Sequence, residues 1–138
     1  MDKDLIINTT VAGIGTSVTC LIGGWDKIIQ ILAILMIADY LTGMSKGILN
    51  KELASYIGFK GLLKKGAIFF VILLAYQIDL ISNPESPIFR TMAIYFYIGN
   101  EGISLLENLA VLNVPLPLFL IDVLKNIKDK NNKISKEG

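Results

Sequence analysis

The chain has 138 residues, a formal net charge of +1 and a composition that is 53% hydrophobic and 18% charged. A chain this short cannot bury so much apolar surface in a soluble core of its own, so the composition indicates a small all-α integral membrane protein. The balanced charge excludes a nucleic-acid-binding surface. The sequence contains no histidine and one cysteine, which excludes Cys/His metal sites, an intramolecular disulfide and imidazole catalysis. We therefore expect no enzyme activity, no cofactor and no metal.

Residues 5–24 form an uncharged but weakly hydrophobic first segment. The residues before it are not a basic cluster, which argues against a secretory signal peptide. Small and hydroxyl residues recur at intervals of four, as at Ala12, Thr16 and Cys20, and this spacing lets helices approach closely in a membrane. The segment can cross the bilayer and pack against its neighbours or copies of itself, show its hydroxyl face to the water of a pore, or lie on the membrane surface. Cys20 is either a small packing residue or a disulfide partner for a second copy.

Residues 27–49 form an almost unbroken apolar stretch, and about 20 such residues span a bilayer as a helix. Its acid, Asp39, lies in the middle of the stretch, where a carboxylate is costly unless it faces a partner helix, a cavity or a cation. Asp39 is therefore the first candidate functional residue, and a purely structural hydrogen bond to a neighbouring helix is the alternative. The residues that share its helical face or complete a Gly-x-x-x-Gly pair are Thr42, Gly43, Lys46 and Gly47.

Residues 50–65 are polar and rich in lysine. Because lysine-rich loops stay in the cytoplasm, these residues fix the orientation of the chain. The predicted topology determinants are Lys46, Lys51, Lys60, Lys64 and Lys65. A third helix is predicted over residues 62–82, and Asp79 near its far end is expected at the outer interface.

Two prolines within residues 83–87 end the third helix in a tight turn that is poor in basic residues, as expected of an external loop. A fourth helix is predicted over residues 88–112. The second half of this helix is two-sided, because polar side chains fill an arc of roughly 120°. These side chains are Asn100, Glu101, Ser104, Glu107 and Asn108. The arc lines water, contacts other helices or marks where the helix leaves the bilayer, and the pattern leaves all three open.

Prolines stop the fourth helix, and the chain ends in a short amphipathic helix, residues 118–128, and a polar tail, residues 129–138. The amphipathic helix suits the membrane surface. Lysines in the tail place the C-terminus in the cytoplasm, on the same side as the lysine-rich loop. The whole chain, residues 1–138, is predicted to be one multi-pass membrane domain with three transmembrane helices, or four if residues 5–24 cross.

Four short motifs occur in a fixed order around the hydrophobic segments. They are Asp39-x-Leu41-Thr42-Gly43, Gly58-x-x-Gly61-x-x-Lys64-Lys65, Glu101-x-x-Ser104-x-x-x-Asn108 and Leu112-x-x-Pro115-x-Pro117. Over roughly residues 27 to 128, their order and spacing resemble the toxin-secretion/phage-lysis holin family, which includes TcdE-like holins.

This resemblance implies a bacteriophage protein that accumulates in the cytoplasmic membrane of a bacterial host, forms homo-oligomers and opens lesions. Through these lesions an endolysin reaches the cell wall or a toxin leaves the cell, and an antiholin is a further partner that the family implies. Lesions of this kind need no catalytic residue. From the residues themselves, we expect Asp39 and the polar arc of the fourth helix to promote assembly or to face the water of the lesion.

Two other classes of protein stay open. A small ion or proton channel or transporter subunit would use Asp39, Asp79 and Glu101 as pathway groups, and it would conduct selectively without releasing folded proteins. A membrane-anchored scaffold would hold a partner through its basic tail and change no permeability. An enzyme is the weakest interpretation, since no set of nucleophile and base accompanies the acids.

Overall fold

The computed structural model describes residues 2–52, 54–123 and 125–126, and this part of the chain contains helices and no strands. The main helices are α1 (Lys3–Leu21), α2 (Lys27–Leu49), α3 (Ala54–Ser82) and α4 (Ile88–Val111). The prediction of an all-α fold is confirmed for the described residues. Two of the helices, α1 and α2, are long and apolar enough to cross a membrane.

Helix α3 begins at Ala54, whereas the sequence predicts a polar loop there and a helix from residue 62. The lysines of this stretch favour a loop in the sequence-based prediction, because lysine is costly inside a bilayer. Lysine is nevertheless a good helix former, and no proline interrupts this stretch. With 29 residues, α3 is about 43 Å long, which exceeds a hydrocarbon core of about 30 Å. Its lysine-bearing first turns can therefore lie beyond the core.

The C-terminal part of the described chain is helical at residues 118–123 and 125–126. The rest of the predicted amphipathic helix and the polar tail, residues 129–138, lie outside the described residues. The position of this segment at the membrane surface stays a prediction.

Helices α2, α3 and α4 pack against one another as a three-helix bundle. Its apolar core is narrow, because each helix buries only a single stripe of residues spaced by three or four positions. The buried apolar residues are Ile22, Ile29, Leu32, Met36, Ile68, Ile72 and Ile94. The outward faces keep large apolar side chains such as Ile34, Phe70 and Phe96 exposed. A bundle with a thin core and an apolar exterior suits a lipid environment.

Helix α1 lies largely outside this bundle, and none of its residues is buried. Its hydroxyl groups donate to backbone carbonyls four residues earlier, each at 2.8 Å: Thr10 to Ile6, Ser17 to Gly13 and Thr19 to Gly15. These polar side chains need no neighbouring helix or water. Helix α1 can therefore rest in lipid as a single helix.

The turn from α1 to α2 is held by Arg90, whose side chain is almost completely buried. Its guanidinium donates to the carbonyl of Ile22 at 2.5 Å, to the carbonyl of Gly24 at 3.1 Å and to both carboxylate oxygens of Asp26 at 2.8 and 3.1 Å. Gly24 has a φ of +106°, a conformation that favours glycine. Arg90 thus fastens this turn to the start of α4.

Asp79, which the sequence places at an outer interface, is 2% exposed and bonds to α4. Its carboxylate accepts from the backbone N–H groups of Phe89 at 2.9 Å and Arg90 at 2.7 Å. These are first-turn amides of α4 that have no acceptor within their own helix. Asp79 therefore caps α4 from the neighbouring helix, where the positive end of the helix dipole also favours its charge.

The glycines of the Gly58-x-x-Gly61 motif make room for the ring of Tyr40. A Cβ atom at Gly58 would lie 3.1 Å from the Tyr40 hydroxyl, and one at Gly61 would lie 3.3 Å from the Tyr40 ring. A side chain at either position would require the Tyr40 ring to shift by a few tenths of an ångström, so these glycines allow α2 and α3 to approach closely.

We expect Gly61→Val to destabilise the bundle by about 1–3 kcal/mol, because a branched side chain must displace the Tyr40 ring. Gly66→Val is the matched control, since a Cβ atom at Gly66 meets nothing within 4 Å. Thermal unfolding in detergent micelles, followed by circular dichroism, measures both variants. Equal melting temperatures for the two would contradict this packing.

The hydrogen bond from Arg90 lowers the pKa of Asp26 below its ordinary value of 3.8. A lowered native pKa stabilises the fold at pH values above 3.8, and this contribution is lost as the pH falls through the native pKa. Asp26→Asn keeps the helix cap but removes the charge. The difference in melting temperature between native chain and variant should hold steady above pH 3.8 and narrow below it. A difference that stays constant in acid would refute the assignment.

Candidate functional site

The three helices of the bundle meet at a buried group of charged side chains. Lys65 of α3 donates to Asp39 of α2 at 2.5 Å and also to Glu101 of α4. Asp39 and Lys65 are each 8% exposed and Glu101 is 1% exposed. We name this group, with Thr42 and Asn108, the charged cluster.

Asn108 completes the charged cluster from α4. Its side-chain amide lies 3.0 Å from the Asp39 carboxylate, 3.2 Å from the Asp39 backbone carbonyl and 3.1 Å from the Thr42 hydroxyl. Thr42 in turn donates to the backbone carbonyl of Ala38 at 2.8 Å. Each polar side chain of the charged cluster therefore has a partner within the same chain.

The charged cluster carries more acid than base, because one ammonium faces two carboxylates and the formal sum is −1. Inside a low-dielectric bundle, an unpaired charge is far more costly than a paired one. Among the described residues, no buried side-chain nitrogen or oxygen lacks a hydrogen-bond partner. The charged cluster is therefore fully hydrogen-bonded within the chain, and separating the three helices would expose its carboxylates to water or to another chain.

A small cavity of about 150 Å³ adjoins the charged cluster. Its lining combines polar, glycine and apolar residues from all three helices: Asp39, Tyr40, Gly43, Met44, Ile57, Gly61, Lys64, Lys65, Ser104 and Asn108. This volume accommodates a few water molecules. In the described part of the chain, no group of three or more histidine, cysteine or acidic residues could hold a metal ion.

The remaining predicted site residues lie around the charged cluster. Gly43 lies beside Asn108 and Gly47 beside Ile57, so the Gly-x-x-x-Gly pair faces the interior of the same chain. Asn100 is exposed and Glu107 is half-buried. The side chains of the polar arc of α4 therefore lie in different environments. Glu101 and Asn108 are buried, whereas Asn100 is exposed.

Lys65 is the member of the charged cluster that sequence reasoning assigned to topology alone. A signal for its burial exists, because Lys65 lies three residues before Ile68 and seven before Ile72, both of which are buried. The other predicted topology lysines differ from it: Lys51, Lys60 and Lys64 are exposed, and Lys46 is half-buried.

We expect Lys65→Met to destabilise the bundle by roughly 3–5 kcal/mol, because it leaves two carboxylates buried without a cation. Lys64→Met is the matched control, since Lys64 is the next residue along, is exposed and forms no ion pair with a described acid. Thermal unfolding in micelles compares them. If both variants melt at the same temperature, the charged cluster does not hold the bundle together.

Comparison with known proteins assigns the chain to a family. The model of the bacteriophage holin family matches residues 16–129. A protein of Clostridium perfringens described as uncharacterized is 46% identical over 128 residues, which is 93% of this chain and 95% of the relative. No solved structure matches the chain.

Two further relatives come from another bacterium and from a bacteriophage. An uncharacterized protein of Listeria innocua is 36% identical over 124 residues, covering 90% of this chain and 85% of the relative. A protein of Bacillus phage phi105 described as a probable holin is 34% identical over 110 residues, covering 80% of this chain and 81% of the relative. The chain therefore belongs to the bacteriophage holin family, a non-enzymatic, pore-forming class of membrane protein.

Proposed function

We propose that the chain acts as a holin that oligomerises in the cytoplasmic membrane of a bacterial host and opens lesions. The released cargo is an endolysin or, in a host that makes one, a large toxin. The observation that carries this proposal is the family match over residues 16–129 on a chain whose helices expose apolar side chains outwards. Such a surface is stable in lipid and available to other copies.

The proposed topology has four spans with both termini in the cytoplasm. Helix α1 joins the bundle through Ile22 and Gly24, which bind Arg90 at the start of α4. The turn before α2 and the turn before α4 therefore lie at the same end of the bundle. The exposed lysines Lys51 and Lys60 lie in the connection from α2 to α3 and the first turns of α3, at the opposite end. The positive-inside tendency makes that opposite end cytoplasmic.

The single chain represents a closed state in this proposal. Asp39 and Glu101 are both ion-paired with Lys65, so their carboxylates contact a second copy or bulk water only after the helices move apart. Asp39, Asn108 and Thr42 would then become part of the polar lining of the lesion. Strong internal pairing raises the barrier to this step, and a high barrier allows the protein to accumulate before lysis.

Helix α1 is the proposed first point of contact between copies. It has no buried residue, and small residues such as Ala12, Gly13 and Thr16 leave its surface open to close approach. Its bundle-side contacts are confined to its C-terminal end, where Val18 and Leu21 line a pocket with Phe70. The rest of its length remains available to a second copy.

Expression of the chain in a bacterium with a cytoplasmic endolysin tests the function. We expect abrupt lysis after a delay, together with release of the endolysin. Asp39→Asn should lyse earlier, because α2 loses its ion pair with Lys65 and the remaining pair of Lys65 with Glu101 joins only α3 and α4. The measurement is culture turbidity against time, with membrane levels of both proteins matched by immunoblotting.

An endolysin without a signal sequence, expressed alone, is the control and should leave the culture intact. Ion leakage without release of the endolysin would favour the alternative function, a small ion or proton channel, for which the buried charges of the cluster would be the pathway groups. Sealed cells at high expression would contradict both. Unchanged lysis timing in Asp39→Asn would remove Asp39 from the mechanism.

A further inference from the structure

The seam between α2 and α3 contains a groove made of three cavities that share lining residues. The first has a volume of about 320 Å³ and shares Tyr40 and Lys65 with the small cavity beside the charged cluster. That small cavity shares Gly43 and Gly61 with a third cavity of about 410 Å³. The lining residues of these neighbouring cavities extend from Phe69, near the middle of the bundle, to Lys46 and Lys60 at its lysine-rich end.

The inner part of the groove is apolar. The first cavity is lined mainly by Ala33, Met36, Ile37, Leu62 and Phe69. In a bilayer, a groove of this character that opens to the hydrocarbon does not stay empty, because neighbouring acyl chains fill it. Its shape and lining suit one chain of a phospholipid.

The outer part of the groove is basic. The third cavity is lined by Lys46 of α2 and by Lys60 and Lys64 of α3, together with the acid Glu52. These four charged groups sum to +2, and within the described residues none of the three lysines forms an ion pair. These lysines lie at the lysine-rich end of the bundle and have no ion-pair partner among the described residues.

We propose that the groove is a binding site for one anionic phospholipid of the leaflet at the lysine-rich end, which is the cytoplasmic leaflet in the proposed topology. The phosphate binds among Lys46, Lys60 and Lys64, and one acyl chain occupies the apolar cavity beside Phe69. Basic pockets between helices on the cytoplasmic side attract anionic headgroups in this way. The inference rests on membrane location and orientation and does not require lesion formation.

Charge decides which lipid is bound. A zwitterionic headgroup brings no net charge to the three lysines, whereas the headgroup of phosphatidylglycerol brings one negative charge. A lipid bound in this position contacts α2 and α3 at once, and its chain lies against Lys65 in the wall of the apolar cavity. The bound lipid would therefore stabilise the closed arrangement of these two helices.

Native mass spectrometry of the detergent-purified full chain tests the proposal. The probe is an equimolar mixture of dioleoyl phosphatidylglycerol and dioleoyl phosphatidylcholine. We expect the chain to retain phosphatidylglycerol preferentially, and K46Q/K60Q/K64Q to lower the ratio of retained lipids by about fivefold or more, the effect expected from one lysine near a membrane surface. The matched control K3Q/K27Q/K125Q removes the same charge outside the groove and should keep the native ratio.

A second variant tests the apolar part of the site without changing charge. Ala33→Phe fills the inner cavity and should lower retention of both lipids, with a helical circular dichroism spectrum confirming that the variant folds. Inorganic phosphate at millimolar concentration should not displace the lipid, because it has no acyl chain. Equal retention of the two lipids by the native chain, or an equal loss of preference in both triple variants, would overturn the proposal. Neither measurement depends on lysis, so a failed lysis assay leaves the result interpretable.

Discussion

The fold depends on one interaction, the ammonium of Lys65 placed between the carboxylates of Asp39 and Glu101. Each of the three charges comes from a different helix, so the positions of α2, α3 and α4 are linked through a single nitrogen atom. A rotation or shift of one helix would separate Lys65 from a carboxylate and leave a buried charge without its partner, which is costly. The narrow apolar core could not supply this specificity, because lipid tails offer the same contacts as its isoleucines.

A second set of buried polar contacts, separate from those of Lys65, joins the helices at the other end of the bundle. Arg90 and Glu101 both lie on the buried stripe of α4 and are roughly 16 Å apart along the helix. Arg90 binds the turn before α2, while Asp79 caps the first turn of α4. The apolar core lies between these two layers. The bundle is therefore held by a few directional contacts at two levels, and separating its helices would break the contacts at both.

Sequence reasoning predicted four main helices, an Asp39 that faces a partner helix or a cation, and the two-sided character of α4, because these follow from hydropathy and from the cost of a charge in lipid. It did not predict that Lys65 is the partner of Asp39, since lysines near a membrane are ordinarily counted as topology signals. It also gave Arg90 no structural role. Both assignments depend on how the helices rotate against one another, and the pattern along one helix does not contain that information. The burial of Lys65 on the stripe of Ile68 was the available clue.

Helix α1 is less constrained by tertiary contacts than the three helices of the bundle. Its 19 residues extend about 28 Å, and no side chain of the helix is locked into the bundle. Adding or removing a turn near the start of α1 would therefore leave the packing of α2, α3 and α4 unchanged. The length and composition of the first helix can thus vary independently of the polar contacts that join the other three.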